Sequence, residues 1–163
     1  EDRSAMLAGS EIAGQGRTIH LGIDVFSNAL EPVYSPCDGE IVRADKEEAS
    51  HGYGNYIIIK PSKSEGLYVF LGHLSADLPK PGLVKSGKKI ARLGDYVDNE
   101  NGGWSRHLHF QLLTSLPEEG STPDGYASQE NFAREDSPYI DPMPFFSGWQ
   151  VDNSSEGHIG YNN

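Results

Sequence analysis

The chain has 163 residues, a net charge of −11 and 36% hydrophobic residues. This length suits one domain with a core of its own. The acidic balance argues against nucleic acid as a partner, because phosphate binding needs clustered Lys and Arg. No apolar run approaches the roughly 18 residues that span a membrane. The 19 glycines and 10 prolines favour strands and turns over a helical bundle.

Three segments are expected along the chain. Residues 1–16 show no sustained period and are predicted to be a loosely attached lead-in, residues 17–146 form the domain, and residues 147–163 form a tail. The sequence opens at Glu1 rather than Met, which is typical of a processed product or an excised domain. A targeting signal could therefore be missing from it.

The first dense pattern, over residues 17–26, sets His20 and Asp24 four positions apart. This spacing places both on one face of a helix or of a strand. Gly22 and the β-branched residues around it favour extended chain. An aspartate that only orients a histidine would give the same pattern, so the pair alone leaves a structural role open.

A second histidine ends the strand predicted over residues 67–75. Period-two alternation gives His73 the same face as Leu71 and Val69. On this local evidence, a histidine at the rim of the core is favoured over a functional one.

Residues 107–112 alternate polar and apolar without interruption, which predicts a half-buried strand. His107, His109 and Gln111 then share the polar face. The Cβ atoms of the two histidines lie roughly 6–7 Å apart, so both rings can reach one small centre. Taken alone, the pair is equally compatible with two surface histidines.

Two loops and one cysteine complete the pattern. Residues 95–106 are predicted to form a loop, in which Trp104 is equally consistent with a stacking wall and with a hydrophobic plug. Residues 115–138 are predicted to form one long loop, of a length that is usually functional or mobile. Cys37 has no disulfide partner in the chain, which leaves the redox compartment open. A packed residue beside a turn suits it better than a reactive thiol.

Together the distinctive residues are His20, Asp24, His73, His107 and His109. Two imidazoles and one carboxylate make a plausible Zn²⁺ set that leaves a fourth position open to water. Two further histidines would be free for proton transfer and charge stabilisation.

In this order the residues resemble the lysostaphin-type, LytM-like zinc endopeptidases, whose pattern is His-x-x-x-Asp, a His at the end of a middle strand, and a late His-x-His. The resemblance covers roughly residues 17–113. Accessory positions that also match are Arg17, Pro36, Asp38-Gly39, Gly54-Asn55, Gly87 and Gly94. Each short motif is weak, but their ordered combination is highly specific.

The resemblance implies a mainly β fold: an antiparallel β-sheet core of the duplicated hybrid motif type, with a loop-walled groove and few short helices. It implies that His20, Asp24 and His109 bind one Zn²⁺. It also implies that His73 and His107 line the site as catalytic histidines.

Some positions depart from the family pattern. Leu71 stands where Tyr is common, Trp104-Ser-Arg106 stands where a small Ser-Thr-Gly run is common, and Gln111 replaces a common Glu. We expect Leu71, Asn99, Trp104 and Arg106 to line the substrate groove, so the departures concern the substrate more than the metal.

The resemblance implies hydrolysis of peptide bonds in peptidoglycan cross-bridges or other Gly/Ala-rich peptides, in the cell envelope or after secretion. The first motif is also similar to peptidase modules of cytoplasmic fusion proteins, whose substrate is obscure. A non-catalytic binding or activator module is a competing class, although such relatives usually lack some ligands. A carbohydrate-transport phosphocarrier is another, but it has no use for Asp24 or the His-x-His pair. The oligomeric state is not predicted.

Overall fold

The structure, a computed structural model, describes residues 2–5, 8–9, 11–49, 51–134, 137, 139–146, 149–151 and 159–161. These residues are mostly β-strand. The strands are β1 Arg17–His20, β2 Ile23–Phe26, β3 Pro32–Tyr34, β4 Gly39–Lys46, β5 Asn55–Pro61, β6 Tyr68–Leu74, β7 Gly82–Val84, β8 Lys89–Arg92, β9 His107–Leu113, β10 Tyr126–Ser128, β11 Tyr139–Ile140, β12 Trp149–Val151 and β13 Ile159–Tyr161. The helices are α1 Glu11–Gly14, α2 Asp98–Asn101, α3 Gln129–Phe132 and a 3₁₀ turn at Met143–Phe146.

The central element is a seven-stranded antiparallel sheet with the order β11-β9-β6-β5-β4-β7, in which β2 also pairs with β9. Within the described part of the chain, the helices are each four residues long. The predicted mainly β fold with an antiparallel core is therefore confirmed.

Buried strands in the middle of the sheet separate two hydrophobic clusters. Ile57 and Ile59 point into the larger cluster together with Leu71 and Phe110, while Ile58 points into the smaller one on the opposite side. The unbroken apolar run of β5 follows from this burial on both faces. This sheet carries Asp24 on β2, His73 on β6 and both His107 and His109 on β9.

The region predicted as one long loop, residues 115–138, is only partly a loop. It contains β10, which pairs with β1, and α3. Arg43 donates to the carbonyl oxygens of Pro117, Glu118 and Ser121 at 2.8–3.2 Å and so holds the loop ahead of β10 against the sheet. The long-loop prediction is wrong for residues 126–132, because pairing with a distant strand overrides a loop-like composition.

Both ends of the chain make contacts of their own. Asp2 forms an antiparallel bridge with Ile19, and the Arg3 amide donates to the Thr18 carbonyl at 2.8 Å. Near the other end, β12 and β13 form an antiparallel pair. Among the residues described, no helix is long and apolar enough to cross a membrane.

Candidate metal centre and groove

His20 and Asp24 reach the site from two different strands. His20 is the last residue of β1, Leu21 and Gly22 link the two strands, and Asp24 follows in β2. His20 Nε2 lies 3.4 Å from the Asp24 carboxylate oxygen Oδ1. Their convergence therefore depends on two strands rather than on the single shared face that the spacing predicted.

His109 comes to the same point from β9. It pairs directly with Asp24 across the β2–β9 ladder, and directly opposed residues have side chains on the same face. His109 Nδ1 lies 3.0 Å from Asp24 Oδ1 and 3.2 Å from His20 Nε2. All three residues are buried.

The spacing of these three atoms suits a small metal ion. Nitrogen and oxygen ligands at ~2.0–2.2 Å from a tetrahedral ion lie about 3.3–3.6 Å from one another. The observed separations of 3.0–3.4 Å differ from this by a few tenths of an ångström. Two imidazoles and one carboxylate could therefore hold one ion with a corner open.

His73 reaches the site because the backbone of β6 changes conformation at its end. Gly72 pairs with His109, and Leu71 pairs with Phe110 on the core side. Strict alternation would send His73 to the core with Leu71, but its φ of 61° lies in the left-handed region. Its ring instead lies 4.2 Å from that of His107, centroid to centroid. The predicted face shared with Leu71 and Val69 is wrong for this reason.

Backbone carbonyls fix the orientation of both further histidines. His73 Nδ1 lies 2.8 Å from the Asn101 carbonyl oxygen, and His107 Nδ1 lies 2.6 Å from that of Ser105. A carbonyl can only accept, so each Nδ1 carries the hydrogen and each Nε2 keeps its lone pair. His107 Nε2 lies 3.7 Å from Asp24 Oδ1, facing the three converging atoms.

Burial sets the charge of the site. It lowers the pKa of His73 well below its usual value, with a further contribution from the His107 and His109 rings. It also lowers the pKa of His107 and of His20, against the opposing effect of Asp24. Burial alone would raise the pKa of Asp24, but the neighbouring His20 and His109 rings hold it well below the usual range. At neutral pH Asp24 is therefore a carboxylate, and His20, His73 and His107 are neutral imidazoles. A carboxylate and a neutral imidazole are the forms in which these side chains bind a metal.

Gln111 and Gly22 set the position of the His109 ring. The Gln111 amide donates to the Asp124 carbonyl oxygen at 3.1 Å, so its Oε1 is free to accept from His109 Nε2 at 2.9 Å. This leaves the lone pair of His109 on Nδ1, toward Asp24. A side chain at Gly22 would put its Cβ 2.6 Å from His109 Nε2, so only glycine leaves room for the ring.

A cavity of about 330 Å³ opens over these residues. Its walls also include Phe26, Glu47, His51, Trp104 and Tyr126. The His51 and Trp104 rings meet edge to face with centroids 5.4 Å apart, which makes one wall aromatic. The arrangement can hold an ion next to a groove with imidazole bases beside it.

A model of Peptidase family M23 matches residues 18–121, a span that contains all five of these site residues. The chain belongs to Peptidase family M23. This confirms the family resemblance inferred from the motifs.

Solved structures support the same fold for this M23 domain. The catalytic domain of the antimicrobial peptidase lysostaphin from Staphylococcus simulans is 27% identical, with a TM-score of 0.56 over 78% of this chain and 79% of that chain. A mutant catalytic domain of the prophage-encoded M23 protein EnpA from Enterococcus faecalis is 21% identical, with a TM-score of 0.50 over 71% of this chain and 79% of that one. A putative glycyl-glycine endopeptidase lytM from Ruminococcus gnavus is 21% identical, with a TM-score of 0.50 over 89% of this chain and 51% of its own. The last two show the fold alone, and this chain spans about half the length of the last.

The predicted groove residues have different positions in the M23 domain. Trp104 lies in the cavity wall. Leu71 is 1% exposed and packs in the larger cluster, so it contributes to the core instead of the groove. Arg106 pairs with Asp95 at 2.6 Å and is not among the residues that line the cavity. Asn99 lies in α2, and its side chain is outside the described part of the structure.

Three residues next to the site are not indicated as functional by the sequence. Tyr53 packs against the His109 and His73 rings, Asn101 holds His73, and the Arg3 guanidinium contacts Asp24 at 2.7 Å. Asn101 is fully buried, and its side chain bonds the backbone of Gly103 and Trp104. Among these three, only Asn101 could have been found from the sequence, because an asparagine followed by two glycines is typical of a turn.

Proposed function

We propose that this M23 domain is a zinc-dependent endopeptidase that acts on peptidoglycan cross-bridges or other Gly/Ala-rich peptides. The observation that carries the proposal is the convergence of His20 Nε2, Asp24 Oδ1 and His109 Nδ1 within 3.0–3.4 Å. His107 Nε2 lies 3.7 Å from Asp24 Oδ1, and the His73 ring lies beside that of His107. Membership of a peptidase family supports the reaction class.

His20, Asp24 and His109 would hold the zinc ion. Two nitrogens and one oxygen are the ligand set of many catalytic zinc sites, which keep a fourth position for water or substrate. When bound, such an ion supplies Lewis-acid chemistry: it lowers the pKa of water toward ~7 and polarises the scissile carbonyl.

His107 and His73 would carry the proton transfers. Each presents Nε2 with a lone pair, because its Nδ1 hydrogen is bonded to a backbone carbonyl. One of them accepts a proton from the attacking water. As an imidazolium it then donates from Nε2 to the developing oxyanion or to the leaving amine. The low pKa of both rings keeps them in the accepting form at neutral pH.

The groove supports small residues at the cleavage point. Trp104, His51 and Tyr126 line the cavity beside the catalytic histidines. Glycine and alanine fit between such walls, and the similarity to an antimicrobial peptidase supports a substrate of this kind. A peptidoglycan substrate also requires a location in the cell envelope or outside the cell, which is part of the same proposal.

The test is hydrolysis by the zinc-loaded domain of intact peptidoglycan, of oligoglycine and of alanine-containing peptides, with the fragments identified by mass. We expect new amino and carboxyl ends within Gly- or Ala-containing segments, and none with His109→Ala. Zinc binding without any cleavage would contradict the proposal and would favour a binding or activator module. Cleavage of free peptides only would favour a fusion-protein module instead of an envelope enzyme.

A further inference from the structure

Arg3 lies far from the site in sequence but contacts a proposed metal ligand. Its Nη1 lies 2.7 Å from Oδ2 of Asp24, and the two side chains are 10% and 5% exposed. Such a short, nearly buried contact between a guanidinium and a carboxylate is a charge-assisted hydrogen bond. Burying both groups is costly unless they are paired, so the contact is held by the fold and is not a transient surface ion pair.

The backbone of the lead-in brings Arg3 to this position. Asp2 bridges Ile19 on β1, and the Arg3 amide donates to the Thr18 carbonyl at 2.8 Å. These two contacts extend the β1–β10 pair by one short segment beside the strand that ends at His20. Arg3 thereby joins the cavity wall next to His20 and Asp24.

The two oxygens of Asp24 have separate partners. Oδ1 faces the imidazoles: His109 Nδ1 at 3.0 Å, His20 Nε2 at 3.4 Å and His107 Nε2 at 3.7 Å. Oδ2 accepts from Arg3. A carboxylate held in this way offers one defined oxygen to an ion at the centre of the imidazoles.

We propose that Arg3 is a positioning residue for the metal site: it fixes the Asp24 carboxylate through Oδ2 so that Oδ1 ligates the metal. This inference rests on the proposed function to the extent that it assumes a metal ion at this site. By this inference the segment that contains Asp2 and Arg3 contributes to the metal site. It also sets the site charge, because the permanent positive charge of arginine offsets that of Asp24 and leaves the ion more electrophilic.

The geometry favours a positioning role over an obstructing one. Arg3 contacts the oxygen that does not face His20 and His109, so metal binding through Oδ1 does not require Arg3 to leave. An obstructing side chain would instead contact the atoms that converge on the ion.

The experiment measures zinc affinity of the full chain by competition with a chelator, and the visible spectrum of the cobalt-loaded protein. The variants are Arg3→Met and Arg3→Lys, with the exposed Arg92→Met as the matched control. We expect Arg3→Met to weaken zinc binding by about 10–100-fold and to change the cobalt spectrum, as is usual for a lost partner of a metal ligand. Arg3→Lys should recover part of the affinity because its ammonium group can still donate to Asp24 Oδ2, and Arg92→Met should match wild type. Circular dichroism of the metal-free variants checks that they are folded.

The outcomes separate this inference from the proposed function. Wild-type affinity and spectrum in both Arg3 variants would overturn the positioning role. So would faster hydrolysis by Arg3→Met with unchanged zinc affinity, because that result would make Arg3 an obstruction. A wild-type chain that binds zinc but cleaves nothing would refute the endopeptidase proposal alone, since the Arg3 comparison depends on affinity. A wild-type chain that binds no zinc would refute both.

Discussion

His107 and His109 stand two positions apart on one strand, yet their partners differ. His109 presents Nδ1 to Asp24 and His20, whereas His107 uses Nδ1 to bond the Ser105 carbonyl and presents Nε2. The same residue type in the same strand is therefore suited to ligation at one position and to proton transfer at the other.

This difference predicts that two alanine variants differ in whether they retain the metal. His109→Ala should lose metal and activity together, because it removes a ligand. His107→Ala should keep one zinc per chain while its rate falls by about 10²–10⁴-fold, the usual contribution of a general acid or base. Metal analysis and peptide hydrolysis on the same samples check both, and full turnover by purified His107→Ala would refute the proton-transfer role.

Gln111 gives a prediction about the ring that it orients. Gln111→Ala removes the acceptor for His109 Nε2, and we expect zinc affinity to fall by about 10–100-fold. Gln111→Glu keeps that acceptor but sets a carboxylate against the Asp124 carbonyl, so it should lower the free energy of unfolding by about 1–3 kcal/mol with zinc retained.

Chelator competition and chemical denaturation measure these two effects. The exposed Gln129→Ala is the control and should leave both unchanged. Wild-type zinc affinity in Gln111→Ala would show that the ring is held by packing alone.

Cys37 gives a pH prediction away from the site. Burial raises the pKa of its thiol above the ordinary 9.0, and Asp38 adds to the shift. Since the thiolate is the reactive form, alkylation by iodoacetamide should be slow at pH 8 and should rise with a midpoint above 9.0. Asp38→Asn should move the midpoint down. A midpoint below that of a free cysteine would contradict the interpretation of Cys37 as a packed residue.

At the scale of elements, the link between β1 and β2 determines whether His20, Asp24 and His109 can meet. The link passes so close to β9 that a Cβ at Gly22 would lie 2.6 Å from His109 Nε2 and 2.8 Å from the Phe110 carbonyl oxygen. The Phe110 backbone is held in the sheet, so the ring of His109 is the part that can move.

Gly22→Ala should therefore displace His109 and weaken zinc binding by about 10–100-fold. It should also cost about 1–3 kcal/mol of stability, the usual effect of overpacking. Gly14→Ala is the matched control, because a Cβ there meets nothing within 4 Å. Calorimetric zinc titration of both variants checks this. Equal affinities would mean that the β1–β2 link shifts to accommodate the methyl group without displacing His109.

The sequence was informative where local pattern and structure coincide. Alternation in β9 predicts which face carries His107 and His109, and the buried strand β5 is clear from its isoleucines. The order of the histidine and aspartate motifs identifies the family without any structure.

The sequence was uninformative where distant segments decide the structure. Nothing in Gly72-His73 indicates a left-handed φ, so alternation puts the His73 ring on the wrong face. The expectation that Leu71 lines the groove comes from the family position where Tyr is common, and its burial in the larger cluster contradicts it. The contact from Arg3 to Asp24 depends on pairing of the lead-in with β1, which local patterns do not encode. The strand in residues 126–128 likewise forms by pairing with the distant strand β1.

At the scale of the whole molecule, the site joins parts of the chain that are otherwise separate. His20 lies on β1 in the two-stranded β1–β10 sheet, while Asp24 and His109 lie on the main sheet. A metal ion shared by these ligands would connect the two sheets, so it would stabilise the folded domain as well as enable chemistry.

The proposed activity depends most directly on one ion bound by His20, Asp24 and His109. Zinc-edge X-ray absorption of the zinc-loaded full chain measures this without reference to any substrate. It should show scattering from two imidazoles and from oxygen at ~2.0–2.2 Å, with one zinc per chain, and His109→Ala should lose the ion. Two results would contradict the assignment of His20, Asp24 and His109 as the metal ligands: a shell of oxygens without imidazole scattering, or the sulfur of Cys37 bound at ~2.3 Å from the zinc ion.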